Sequence, residues 1–236
     1  MAESYVAGTT ENLRSAAAES EPRTSRATSG WSFAHRVAFR FVFSYLVLYI
    51  FPFPFGSYPG RVLGFPAYDK LWYAIVPWFG KHILHLRSAI TVFPNGSGDT
   101  TFNYVQILCM VIIAAAATII WTALDRERVE YRTLHEWLRI YVRYALAFTM
   151  LAYGVDKVIK LQFQTPGLGR LAEPFGNYSP FALLWTFMGF STAYTHFAGW
   201  CEVTGAVLLF FRRTTTLGAL ILCGVIANVA ALNYFY

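Results

Sequence analysis

The chain has 236 residues, 56% hydrophobic and only 14% charged, against roughly a quarter charged in an ordinary soluble domain, which excludes a water-exposed globular fold. Aromatic residues make up 18%, a content that suits lipid contact and interfacial belts. The formal net charge of +6 comes from Arg and Lys scattered between apolar segments, with no continuous basic stripe, which excludes a nucleic-acid-binding surface.

Residues 1 to 30 are rich in Ser, Thr, Ala, Glu and Gly and hold almost nothing that burial could anchor. They predict a disordered cytoplasmic tail, with 31 to 236 as a transmembrane helical domain. The first apolar run begins after Arg36 and Arg40 and leads to no small-residue cleavage site, so it is not a secretory signal. It predicts a first span from Val37 to about Phe55, ending at Pro52 and Pro54. Between Leu71 and Leu86, Trp72, Tyr73, Trp78 and Phe79 alternate with Lys70, Lys81, His82 and His85, the pattern of an interfacial helix. The run Asn95-Gly-Ser-Gly-Asp-Thr-Thr lacks the phosphate-loop Lys and is predicted to be an outside loop, with Asp99 or Thr100 capping the next helix.

The second span, Thr101 to Leu124, contains no charge, and its Ala114 to Ala117 run offers a small-residue packing face. A third runs from about Ile140 to Ile159, with Arg143 snorkelling at one end and Asp156, Lys157 and Lys160 at the other. Residues 181 to 211 are too long for one upright helix, and Ser191, Thr192, Tyr194 and Thr195 interrupt them. A short re-entrant or interfacial piece followed by a span from about Tyr194 to Phe211 fits. The last span is Thr214 to Tyr236. The expected fold is therefore an all-α membrane protein, a bundle of about five transmembrane helices plus an interfacial helix. Cys109, Cys201 and Cys223 each sit in an apolar run without metal-like or redox spacing and are expected to be buried small hydrophobes.

Orientation follows from the cations. The tail with Arg36 and Arg40, the connection from Arg126 to Arg143, and Arg212 with Arg213 together hold most of the 19 Arg and Lys. They assign that side, and the N-terminus, to the cytoplasm of a multi-pass cell-membrane protein.

Glu202 is the residue most in need of explanation, because an ionisable group inside a span is costly and needs a partner. Counted from Arg212 it lies about 15 Å deep, near the middle of a hydrocarbon core about 30 Å thick. Tyr153 reaches a similar depth, Asp156 and Lys157 lie about one turn nearer the outer face, and Asn228 falls at a comparable level. Tyr153, Asp156, Lys157, Glu202 and Asn228 thus form a candidate polar cluster among three helices, functional or merely tying the helices together. His196, in the polar break before the fourth span, reads as a solvated or helix-capping residue, or else as a ligand or proton-transfer group. His82 and His85 share a face if both are helical, but no third ligand accompanies them, so no metal is expected.

The segments Tyr153-Gly154-Val155-Asp156-Lys157 and Ala198-Gly199-Trp200-Cys201-Glu202-Val203-Thr204-Gly205, with the Leu-, Ala- and Gly-rich helix after Arg212 and Arg213, resemble the DoxX-like family of small membrane proteins. The resemblance covers residues 140 to 236. That family is a four-helix bundle, whereas three core helices are visible here; the fourth is either missing from this chain or supplied by an N-terminal helix. The resemblance implies membrane redox work, as a subunit linked to a quinone or assembled with a membrane or soluble oxidoreductase partner. A more distant similarity, to the membrane region of vitamin K-dependent carboxylase relatives, also implies a lipid-soluble quinone. The competing expectations are a non-catalytic membrane scaffold, in which the cluster is fully packed, and a small-solute carrier. The sequence itself names no haem, flavin or nucleotide site and no substrate.

Overall fold

The computed structural model describes residues 30–54, 66–92 and 100–235, and every regular element among them is helical. Residues 1–29 of the predicted tail, the Asn95–Asp99 part of the glycine-rich loop, Phe55 and Tyr236 lie outside the described residues. Helix α1, Phe33–Ile50, starts four residues before the predicted Val37 and takes Arg36 and Arg40 into its body. A helix need not stop at a cation whose donors find acceptors, and those of Arg40 do, as shown below.

Helix α2, Pro66–His82, carries Pro77 inside it. It buries Trp72 and Val76 against Val105, Cys109 and Met110 of α3, Thr101–Leu124, with Tyr45 and Leu48 of α1 packed alongside. The interfacial pattern therefore has a third side: alternate aromatics face protein. Helix α3 has the predicted bounds, and of the two proposed caps it is Thr100 whose hydroxyl accepts from Asn103 N. Ala114 and Thr118, one turn apart, are buried on its packed face.

Helix α4, Arg132–Val158, begins eight residues before the predicted Ile140. The added segment, Arg132 to Arg139, mixes charged and apolar residues, which lowers hydropathy without lowering helix propensity. It ends in a Schellman arrangement: Leu161 N donates to Asp156 O at 2.7 Å and Lys160 N to Lys157 O at 3.1 Å. Lys160 holds the left-handed position (φ 56°) usually given to glycine. After α5, Leu168–Ala172, and a 3-10 turn at Phe175–Asn177, the long apolar stretch divides at Ser191 into α6, Pro180–Phe190, and α7, Thr192–Phe210. Ser191 caps α7 through Tyr194 N, and buried Thr195 donates to Met188 O and Ser191 O, stitching the break. Helix α8 is Thr215–Phe235.

Within residues 33–235 the most extensive pairing is α4 on α7, followed by α7 on α8 and α1 on α3. Ala147, Leu209 and Leu222 join α4, α7 and α8 in one core. The segment after α1 also meets α4: the Tyr141 hydroxyl donates to Phe53 O at 3.2 Å, and the Phe53 ring packs 5.8 Å from Phe148. Three helices, α1, α3 and α8, are long and apolar enough to cross a membrane. Helices α4 and α7 do not meet that measure, because α4 carries Arg139, Arg143, Asp156 and Lys157, and α7 carries His196 and Glu202. Of the cysteines only Cys109 is buried; Cys201 is half-buried and Cys223 exposed. Cys223 sits about 100° round α8 from the buried Leu222, which turns it off the packed face.

Candidate functional site: the buried Lys157–Glu202 pair

Helices α4 and α7 approach closely because each offers a glycine where the other's backbone passes. A Cβ at Gly154 would lie 2.8 Å from Gly199 O and from Val203 N, and a Cβ at Gly199 would lie 2.8 Å from Gly154 O. One turn beyond each glycine on the same face stand Lys157 and Glu202. Lys157 Nζ donates to both carboxylate oxygens of Glu202, at 2.6 and 2.7 Å, and the two side chains are 7% and 4% exposed. The approach of the backbones is what lets a Lys and a Glu meet without extending to solvent. Lys157 Nζ also stands over the Tyr153 ring, 5.8 Å from its centroid, while the tyrosine itself is 49% exposed.

The remaining candidate residues are distributed differently. Asp156 is half-buried beside Lys157, and its carbonyl, not its carboxylate, is used in the helix cap. Asn228 is exposed and stands outside the cluster, contrary to expectation. It is six residues from Leu222, which places it about 120° round α8 from the face packed on α7. His196 is half-buried in the second turn of α7, inside the helix rather than at its cap, which Ser191 provides. His82 ends α2, whereas His85 lies beyond it with φ 51°, so the two do not share a helical face. Each ring instead meets a nearby carbonyl, Trp78 O and Ile83 O. Among the described residues no group of three or more His, Cys, Asp or Glu is placed to hold a metal ion.

Arg40, which in the sequence signals topology alone, centres a second polar cluster. Arg40, 2% exposed, donates from Nε to the Tyr131 hydroxyl (2.9 Å), from Nη1 to Thr122 Oγ1 (2.9 Å), and from Nη2 to Asp125 O and the Tyr131 hydroxyl (both 2.6 Å). Tyr131 in turn donates to Asp125 Oδ2 at 2.9 Å, and the Trp121 indole donates to the same oxygen at 3.4 Å. These bonds, that from Tyr131 first, hold the Asp125 carboxyl below the usual carboxylate range, with Arg128 and Arg40 adding their charge. The signal available in the sequence was a pair of Arg residues four apart inside an apolar run, opposite a helix end rich in Thr, Asp and Trp.

A third junction forms around Lys160, whose Nζ donates to Thr165 Oγ1, Gly189 O and Thr192 Oγ1 at 2.9–3.0 Å. It ties the end of α4 to the break between α6 and α7.

Comparison with known proteins gives a relative of limited coverage. The chain is 38% identical over 96 residues to "Uncharacterized protein YwoB" of Bacillus subtilis (strain 168), an alignment that takes in 40% of this chain. It spans 59% of the length of that curated relative, whose printed name states no activity. No family model matches the chain, and no solved structure matches it.

Proposed function

We propose that the chain is a multi-pass cell-membrane protein whose α4–α7–α8 bundle is a non-catalytic scaffold, with Lys157 and Glu202 as its internal lock. The observation that carries this reading is the closure of the pair: both carboxylate oxygens of Glu202 are taken by Lys157 and neither side chain is more than 7% exposed. A site that binds a quinone or exchanges protons needs an open approach to its ionisable group, and this geometry favours packing instead.

The reading has five crossings, with α4 and α7 added to the three more apolar helices and the N-terminus in the cytoplasm. Helix α4 has 27 residues and α7 has 19, lengths of about 40 and 28 Å, which suit a hydrocarbon core of about 30 Å. Pairing the one cation and one anion nearest the middle removes the main obstacle to burying them there. The partner of such a scaffold would be another membrane protein, or an oxidoreductase if the family resemblance carries over.

The test compares Glu202→Gln and Lys157→Met with the double variant Lys157→Met, Glu202→Leu, in which neither position keeps a charge. Each single change should cost about 3–5 kcal/mol of stability by leaving a buried charge unpaired, while an apolar pair of similar volume should recover most of it. For a scaffold, the double variant also keeps the wild-type set of copurifying proteins. A double variant that is fully folded yet loses a bound quinone or a redox partner overturns the scaffold reading in favour of the redox one.

A further inference from the structure

Where the start of α1 faces the end of α3, an open cleft of about 610 Å3 is lined by both helices. Its size is within the range of pockets that bury small ligands, about 300–1,000 Å3. Two chemistries line it. Along the helices the wall is apolar, with Phe33, Val37 and Ile119, the last 70% exposed. At the helix ends it is cationic, with Arg36 and Arg126.

Among the described residues, neither Arg36 nor Arg126 is paired with a carboxylate. The one carboxylate on the cleft, Asp125, is bonded by Tyr131 and Trp121 and lies 3.6 Å from Arg128. Arg40, which also lines the cleft, already spends four of its five donors on Tyr131, Thr122 and Asp125 O. Arg36 gives Nη1 to Arg128 O, but its Nε is buried and has no hydrogen-bond partner among the described residues. A buried donor without an acceptor costs free energy, and a charged one most of all. Arg126 is exposed and spends only Nε, on Ala123 O.

We infer that this cleft binds an anionic phospholipid, its phosphate held by Arg36 and Arg126 and one acyl chain laid along Val37 and Ile119. Guanidinium groups suit phosphate oxygens, and they stand where an apolar groove reaches the end of two apolar helices, the level at which a lipid changes from chain to headgroup. That end carries the cations assigned to the cytoplasmic side, where a membrane is anionic. The inference takes the proposed membrane placement as given. It is independent of the role of Lys157 and Glu202, which lie on other helices.

The experiment uses the full chain, purified in detergent and offered phosphatidylglycerol or phosphatidylcholine of the same acyl length, with retained lipid read by native mass spectrometry. Phosphatidylglycerol should be retained in preference by roughly tenfold or more, as expected for two basic side chains at a lipid headgroup. The double change Arg36→Gln with Arg126→Gln should abolish the preference. Arg36→Lys, which keeps the charge, should preserve part of it. Ile119→Trp, which fills the groove without touching a charge, should reduce retention of both lipids, and it tests the inference if the double variant fails to fold. Equal retention of the two lipids by the wild-type chain overturns the inference, as does an unchanged preference in the folded double variant. Displacement of the lipid by millimolar inorganic phosphate alone also overturns it, since the site would then take a free anion. Recovery of the chain outside the membrane fraction would instead count against the placement itself.

Discussion

Arg40 and Glu202 are each an ionisable residue inside an apolar helix, and the fold treats them differently. Glu202 has one partner of opposite charge, so its environment is closed by a single contact from a neighbouring helix. Arg40 is hydrogen-bonded by neutral acceptors, two hydroxyls and a carbonyl, and the carboxylate of the cluster is bonded to Tyr131 and acts on Arg40 through charge alone. Asp125 is the member of that network whose protonation matters. Its folded-state pKa is depressed, so its contribution to stability is complete above the ordinary carboxylate value of about 4 and is lost as pH falls through the lower folded value. Thermal unfolding followed from neutral pH into the acid range should show this loss in the wild-type chain. Asp125→Asn should flatten that component, and Tyr131→Phe should shrink it by removing the largest cause of the shift. A wild-type and an Asp125→Asn profile that run parallel would show that the network is not held by the ionised carboxylate.

Between elements, what sets the geometry is how near two backbones can come. Gly154 against Gly199 fixes the α4–α7 approach, and Gly218, whose added Cβ would meet Gly205 O at 2.8 Å, does the same for α7–α8. In both cases the obstacle is backbone, which cannot rotate away as a side chain can. Gly199→Ala should therefore force α4 and α7 apart, cost about 1–3 kcal/mol and loosen the Lys157–Glu202 contact. Gly167→Ala, where an added Cβ meets nothing within 4 Å, is the matched control and should leave stability unchanged. Equal melting temperatures for the two variants would mean that the helices do not pack at this distance. The Ser191 break belongs to the same scale: its polar residues were visible in the sequence, but not that Thr195 would bond across it while Lys160 held it to α4.

For the whole molecule, the number of crossings is decided by α4 and α7, and the connection between them reports on it. With five crossings, residues 161–179 face outward; with three, they stay on the cytoplasmic side with residues 125–131. A Gly176→Cys variant, at a position open enough for a side chain, should be labelled by a membrane-impermeant thiol reagent from outside. Glu127→Cys should be labelled only after permeabilisation. Protection of Gly176→Cys in intact cells would remove α4 and α7 from the set of spans. The sequence by itself determined which segments are helical and which charges lie within about a turn of one another, because apolar runs end at polar or turn-forming residues and the rise per residue is constant. Counting put Lys157 about one turn from the level of Glu202, within reach of its long stem. Tertiary structure alone decided which side of each helix faces protein, turning Asn228 outward and closing Arg40 into a cluster. Rotation about a helix axis leaves depth unchanged, and it is set by the glycines and side chains through which neighbouring helices make contact.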